Sequence, residues 1–292
     1  MTLAPGKSRN RQMFALPEPP ADRLTIAGVP YRLVRVFKHD FWAATSLYEA
    51  CSPGAPFPKV VVKFGRLTSF AGLALDWYGQ FVQEHEEVIY ARLAGIPGVP
   101  RWLAKVGRTG YAIEYMDGLP LDHVPDPPPG WFERMRALLD AVHRRGVAYC
   151  DANKRSNMLV GAAGEAILVD YQISLRSRDD LPWPLRHMTA GFIRYMQIKD
   201  IYHLYKHKRR MAPQELTEEE KLLSRRRSGF HGLHRKLTKP YRALRRGLLS
   251  RLYRSGRLVS PTETLEDHYM PEKASWQGPP PDKSDKPGKS TG

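Results

Sequence analysis

The chain has 292 residues with 42% hydrophobic side chains, enough for one large domain or two smaller units with a core well above the marginal size range. No apolar run approaches the roughly 18 residues that a membrane span needs, and residues 1–20 lack the apolar stretch of a signal peptide, so a cytoplasmic address is expected. The formal charge of +16 is unevenly placed. Residues 221–257 hold 13 Lys and Arg with no Asp or Glu, leaving +3 over the rest, and so dense a basic segment implies an anionic partner: a membrane surface, a nucleic acid or an acidic substrate.

In chain order, residues 1–22 read as a disordered leader, with Pro5, Pro17, Pro19 and Pro20 and little to bury. Residues 24–36 alternate in polarity and are rich in branched side chains, which predicts two strands around a turn at Gly28-Val29-Pro30. Two further strands are expected at 41–50 and 59–64, joined across the Pro/Gly-rich loop 52–58. A helix over 77–93 follows, with Phe81, Val82, Val88, Ile89 and Leu93 approximating one face and Gly95, Pro97, Gly98 and Pro100 ending it. Residues 102–106 and 111–115 form a hairpin through Gly107-Arg108-Thr109-Gly110.

After the Pro-rich stretch 124–129 the pattern turns helical. Residues 131–145 are amphipathic, with Phe132, Met135, Leu138, Leu139 and Val142 at three-to-four spacing. Further helices are expected around 189–206, 215–226 and 241–253, and residues 259–292 read as a disordered tail. Two cysteines, Cys51 and Cys150, stand far apart without companion Cys/His spacing, so neither a disulfide framework nor a zinc site is expected. Cys150, directly before Asp151, reads as a small hydrophobe packed under a loop rather than as a nucleophile.

The chemistry-bearing stretch is Tyr149-Cys150-Asp151-Ala152-Asn153-Lys154-Arg155-Ser156-Asn157. It leads into a short apolar strand, a turn through Gly161 and Gly164, and a second strand ending in Asp170-Tyr171-Gln172. That order sets Asp151, Asn157 and Asp170 on the loops at one edge of a small hairpin. Three oxygen-bearing side chains converging at strand ends suit Mg²⁺ with phosphates. Lys63, set among valines and Phe64 on a buried strand, needs an anionic partner, either a carboxylate or a phosphate.

This pattern resembles the catalytic and metal-binding loops of the protein-kinase-like superfamily, H-R-D-x-x-x-x-N followed by D-F-G. Here Tyr149-Cys150 stands for His-Arg, one extra residue separates Asp151 from Asn157, and Gln172 replaces the Gly. The resemblance covers roughly residues 31–208. It implies an α+β, two-lobed kinase-like fold: an antiparallel-sheet lobe with one helix at 23–116 and a shortened helical lobe at 117–258. It also implies ATP and Mg²⁺ as cofactors and assigns roles residue by residue. Lys63 would hold the phosphates and Glu86, with Glu84 and Glu87 as alternatives, would pair with it. Backbone groups of Glu114 and Met116 would bind the adenine edge, and Asp117 or Asp122 the ribose. Asp151 would orient the acceptor hydroxyl and take its proton, Lys154 or Arg155 would offset phosphoryl charge, and Asn157 and Asp170 would hold the metal ions. Where the family has G-x-G-x-x-G, this chain has Lys38-His39-Asp40-Phe41-Trp42-Ala43-Ala44-Thr45; no binding residue is assigned there, though Ala43 and Ala44 are small and Phe41 or Trp42 can cover the nucleotide.

The missing A-P-E sequence and shortened second lobe resemble small atypical bacterial kinases, the RIO-like proteins and the lipopolysaccharide core sugar kinases. The expected function is an ATP-dependent kinase acting on a glycolipid sugar hydroxyl or on protein Ser/Thr. One alternative is a nucleotide-binding pseudokinase serving as a membrane or protein adaptor, supported by Gln172 and the glycine-free loop. Another is a basic nucleic-acid-binding protein on a kinase scaffold, less favoured because no RNA-binding motif accompanies the charge. On a helix from Tyr241, Leu244, Leu248 and Leu252 share a face and arginines spread over the rest. That is the pattern of an interfacial helix on anionic lipid at the inner face of a membrane, and equally of a lobe helix packed by its leucines.

Overall fold

The computed structural model describes residues 14–70, 72–178 and 180–225. The alternating, β-branched runs of the first third pair into one antiparallel sheet. Its strands are β1 (Arg23–Ile26), β2 (Val29–His39), β3 (Ala43–Ala50), β4 (Lys59–Gly65), β5 (Trp102–Val106) and β6 (Gly110–Glu114), in the order β1-β2-β3-β4-β6-β5. Ala27 and Gly28, both with positive φ, make the two-residue turn between β1 and β2. Two register shifts along β2, between Leu33 and Arg35 and between Val36 and Lys38, bend that long strand. Tyr31, Tyr48, Val60, Val62 and Ala112 fill one face of the sheet.

Helix α1 (Asp76–Leu93) packs on β4 and β6. The approach is close because two glycines meet. A Cβ on Gly79 would stand 2.5 Å from the Arg66 carbonyl oxygen, and one on Gly65 would stand 2.7 Å from the Gly79 Cα. Glycine costs a helix up to about 1 kcal/mol relative to alanine; here it brings Glu86 of α1 within 3.5 Å of Lys63 on β4.

The rest of the described chain is mainly helical. Helix α2 (Trp131–Arg144) buries Trp131, Phe132, Met135, Leu138, Leu139 and Val142, the face that the three-to-four spacing predicts. These side chains join Ile89, Tyr90 and Leu93 of α1 in one core. Around them lie a three-stranded sheet of β7 (Leu119–Pro120), β9 (Met158–Val160) and β10 (Ala166–Leu168), and a pair of β8 (Val147–Ala148) with β11 (Leu175–Arg176). Helices α3 (Trp183–Met211) and α4 (Glu218–Arg225) complete an α+β architecture with four α-helices among the described residues.

Three expectations need correcting. Of the face expected on α1, Phe81 and Val88 are exposed, and the buried face runs instead through Gln83, Glu86, Ile89, Tyr90 and Leu93. Residues 14–22 do not fit the disordered leader expected over 1–22, because Ala15 is fully buried: its N–H bonds the Asp40 carbonyl at 2.7 Å, and its carbonyl accepts the N–H groups of Leu67 and Thr68 at 2.8 and 3.0 Å. Backbone pairing rather than apolar bulk holds this proline-rich segment, so composition alone misread it. The helix expected around 189–206 spans 29 residues, since Pro184 falls in its first turn, where a missing N–H breaks no helical bond. The helix expected at 215–226 is α4, preceded by a 3-10 turn at Pro213–Glu215. The helix expected over 241–253, the basic segment beyond residue 225 and the tail lie outside the described residues. No helix among the described residues is long and apolar enough to cross a membrane.

Candidate active site

A cleft lies between the six-stranded sheet and the β9–β10 hairpin. Val61 and Ile113 line it from the sheet, Leu159 and Val169 from the hairpin, and Tyr115 and Met116 from the segment between them. Lys38, Lys63, Glu86, Ser156, Asp170 and Gln172 supply polar and charged groups. An apolar slot with a few converging polar groups is the usual form of a small-molecule site.

The burial of Lys63 calls for counter-charge, and the fold supplies two carboxylates. Its Nζ stands 2.9 Å from Asp170 Oδ1 and 3.5 Å from Glu86 Oε1. The three acidic candidates on α1 are now distinct: Glu86 is buried against Lys63, Glu87 pairs with Lys105 at 2.7 Å, and Glu84 is exposed. Burial pushes the Lys63 pKa down, but Asp170 and Glu86 outweigh it and hold the ammonium well above its usual range. At Asp170 burial works upward, and the charge and hydrogen bond of Lys63 reverse it, keeping the carboxyl below the ordinary value. At Glu86 burial prevails over the pull of Lys63 and raises the pKa. Asp170 adopts a left-handed backbone, φ 66°, uncommon for a side chain other than glycine and concentrated at functional sites.

The loop before β9 carries the second group. Asp151 Oδ2 is 2.7 Å from Lys154 Nζ and accepts a 2.9 Å hydrogen bond from Asn157 Nδ2. Burial raises the Asp151 pKa despite both partners. The charge of Lys154 also reaches Asp170 and helps to lower its pKa, which links the two groups. Arg155, the alternative to Lys154, turns instead to Met211 Sδ at 3.8 Å. Glu114 donates its N–H to the Arg101 carbonyl at 2.9 Å and receives the Arg101 guanidinium on both carboxylate oxygens at 3.0 and 3.1 Å, so its carbonyl is what it can offer the cleft. Asp117 and Asp122 are not among the residues lining the cleft, and neither are Asp151, Lys154 and Asn157, whose loop borders it through Ser156.

Several organising residues escaped the sequence reading. Asp200 of α3, buried at 1% exposure, accepts the N–H groups of Tyr149 and Cys150, both at 2.8 Å, and contacts His143 Nε2 at 3.1 Å. The available signal was its isolation: α3 holds seven Lys and Arg and this single carboxylate. Tyr171 stacks edge-on against Tyr90 and Tyr149, each at 5.3 Å, tying α1 to both loops. Cys150 has φ 67°, and burial pushes its thiol up to about 12, so it stays protonated near neutral pH and is no nucleophile.

No family model matches the chain, and no curated protein matches it. What the cluster can do follows from its own chemistry. Among the described residues no three His, Cys, Asp or Glu side chains converge on a metal position. Asp170 and Asn157 bring one ionised carboxylate and one amide oxygen, a set that suits Mg²⁺ when phosphate oxygens complete the coordination.

His207 gives the stability of the loop that carries Asp151 a pH dependence. It is 3% exposed, its Nε2 lies 3.0 Å from the Ala152 carbonyl, and its Nδ1 is buried with no hydrogen-bond partner among the described residues. Burial lowers its pKa to about 4. An unfolded histidine titrates near 6.5, so the folded protein resists protonation here. The stabilising contribution is complete above about pH 6.5 and is lost as pH falls towards 4, at a cost of about 3 kcal/mol. Urea unfolding between about pH 7 and pH 4.5 should show a shallower loss in His207→Gln, which keeps an N–H donor for Ala152. Equal slopes in the two proteins would mean that the imidazole protonates freely.

Proposed function

We propose that this protein is an ATP-dependent phosphotransferase of the protein-kinase-like kind, two-lobed, moving the γ-phosphoryl group of ATP to a hydroxyl. The acceptor is a lipopolysaccharide-type sugar or a protein Ser/Thr. The observation that carries this reading is the convergence of Lys63, Glu86 and Asp170 at the cleft, with Asp151, Lys154 and Asn157 beside them. Phosphoryl transfer needs a fixed cation, an ionised carboxylate and a proton acceptor in just such proximity, because its catalysis is mainly placement and electrostatics.

In this reading adenine lies between Val61 and Leu159, with backbone groups of Glu114 and Met116 at its edge. Lys63, held by Glu86, positions the phosphates. Asp151 takes the acceptor proton as the acceptor oxygen bonds to the γ-phosphorus. The bond to the β–γ bridging oxygen breaks, and ADP leaves with that electron pair. A raised carboxyl pKa suits Asp151 to this role, since a base works best when its pKa nears the working pH. Lys154 offsets charge on the transferred group. Mg²⁺, when bound by Asp170 and the amide oxygen of Asn157, would neutralise phosphate charge. A position at the cytoplasmic face of a membrane, with residues 221–257 against anionic lipid, belongs to the same proposal.

The test is transfer of labelled γ-phosphate from ATP with Mg²⁺, offering core oligosaccharide, intact lipopolysaccharide and a generic protein side by side. Wild type is expected to label one acceptor class, with a loss of about 10²–10⁴-fold in Asp151→Asn. Equal label from wild type and Asp170→Ala on every acceptor would overturn the proposal. ATP binding without transfer would move the reading to a nucleotide-binding adaptor.

A further inference from the structure

The loop between β2 and β3, which borders the charged part of the cleft, contains no glycine, and the backbone N–H groups of Asp40, Trp42 and Ala43 are already in use. Asp40 Oδ1 accepts the N–H groups of Trp42 and Ala43 at 2.8 and 2.9 Å, while Asp40 Oδ2 lies 3.0 Å from Lys38 Nζ. The backbone of Asp40 is fastened as well: its N–H bonds the Ala43 carbonyl at 3.0 Å, and its carbonyl accepts the Ala15 N–H at 2.7 Å. The fully buried Arg66 donates to the Phe41 carbonyl at 2.5 Å and stacks its guanidinium 3.8 Å from the centre of the Phe41 ring.

Consecutive backbone N–H groups make an anion-binding nest, and here the chain's own carboxylate fills it. A loop held at this many points keeps its shape, so charge on a bound phosphate must be met by side chains. Among the described residues that line the cleft, the cations are Lys38 and Lys63. Lys63 is committed to Asp170 and Glu86. Lys38 enters from the loop side and lies close enough to Asp170 to help lower its pKa.

We propose that Lys38 binds the terminal phosphates of a nucleoside triphosphate, exchanging the Asp40 carboxylate for phosphate oxygens while Asp40 keeps the loop amides. This rests on the nucleotide reading of the cleft and deepens it. Asp40 then has two separable effects. Its Oδ1 shapes the loop, and its charge competes for Lys38. Asparagine keeps the acceptor oxygen and removes the charge, so Asp40→Asn and Lys38→Ala should act in opposite directions.

The experiment is calorimetric titration of the full chain with ATP, ADP and AMP in Mg²⁺, using wild type, Lys38→Ala, Lys38→Gln, Asp40→Asn and the Lys38→Ala/Asp40→Asn double variant. Lys38→Ala and Lys38→Gln should weaken ATP about tenfold and change AMP by less than about twofold. Asp40→Asn should strengthen ATP about two- to fivefold, a gain that vanishes when Lys38 is alanine. If the Lys38 variants match wild type for ATP, or weaken AMP as much as ATP, this inference falls and the nucleotide reading stands. A gain from Asp40→Asn that persists without Lys38 also overturns it. If wild type binds none of the three nucleotides, both fall together.

Discussion

Lys63→Met is expected to destabilise the fold by about 3–5 kcal/mol near neutral pH and to reverse the pH dependence of the site. In wild type one ammonium faces two carboxylates, at 2.9 Å to Asp170 and 3.5 Å to Glu86. Methionine keeps much of the length and removes the charge, leaving two carboxylates in a poorly solvated cleft. The sign follows from the pKa directions. Burial raises the Asp170 carboxyl and Lys63 reverses that, so its folded pKa lies below the unfolded one. Its contribution in wild type is therefore present above the ordinary carboxylate range and lost as pH falls through the folded value. Glu86 already has a raised pKa, because burial prevails even with Lys63 present. Without Lys63 the main opposition to burial is gone from both, leaving only the Tyr111 hydrogen bond at Glu86 and the charges of Lys154 and Lys38 at Asp170. A carboxyl whose folded pKa is raised stabilises at low pH and loses that contribution as pH rises through the folded value. Urea unfolding at about pH 5 and pH 8 should show a larger deficit for the variant at the higher pH. A deficit below about 1 kcal/mol at both, or one larger at the lower pH, would mean that Lys63 is not the counter-charge of this cluster.

The parts of this site that are legible in the sequence are those carried by local periodicity. The run of valines with Phe64 placed Lys63 on a buried strand, and the strand–turn–strand pattern placed Asp151, Asn157 and Asp170 on the loops at one edge of a small hairpin. The resemblance named Glu86 as the acid that meets Lys63, and the structure places it there, but periodicity alone does not choose among Glu84, Glu86 and Glu87, which lie within one turn of one helix. The choice depends on how α1 docks, and that is set by the contact of Gly79 with Gly65. Asp200 was hidden for a different reason. It lies 51 residues from Tyr149 and 50 from Cys150, a separation that no helical or strand period spans. The glycine-free loop was visible as an absence only. Nothing in Lys38-His39-Asp40-Phe41-Trp42-Ala43 announces that Asp40 takes up two backbone amides, or that Ala15, from a segment with the composition of a leader, secures the turn from outside.

Asp200→Ala should cost about 3–5 kcal/mol, because it removes the acceptor from two backbone N–H groups and an imidazole in the interior, and each buried donor left without a partner costs about 1–3 kcal/mol. The two amides belong to Tyr149 and Cys150, directly before Asp151. Cys150 is held at φ 67°, a conformation that a side chain other than glycine adopts at a cost of order 1 kcal/mol and keeps only when its surroundings enforce it. Without Asp200 the residue relaxes towards negative φ and carries Asp151 out of register with Lys154 and Asn157. Asn at this position keeps one acceptor oxygen but turns an NH₂ towards a second donor, so stability should fall in the order wild type, Asp200→Asn, Asp200→Ala. Amide exchange checks the local cause: protection of Tyr149 and Cys150 should collapse in Asp200→Ala before that of the β4–β6 pairing does. Under the phosphotransferase reading kcat falls while ATP affinity holds, since Lys63 and Asp170 stand on segments that Asp200 does not touch. An Asp200→Ala protein that loses ATP affinity in proportion to kcat, or that keeps wild-type protection at Tyr149 and Cys150, would show that this carboxylate does not position the loop that carries Asp151.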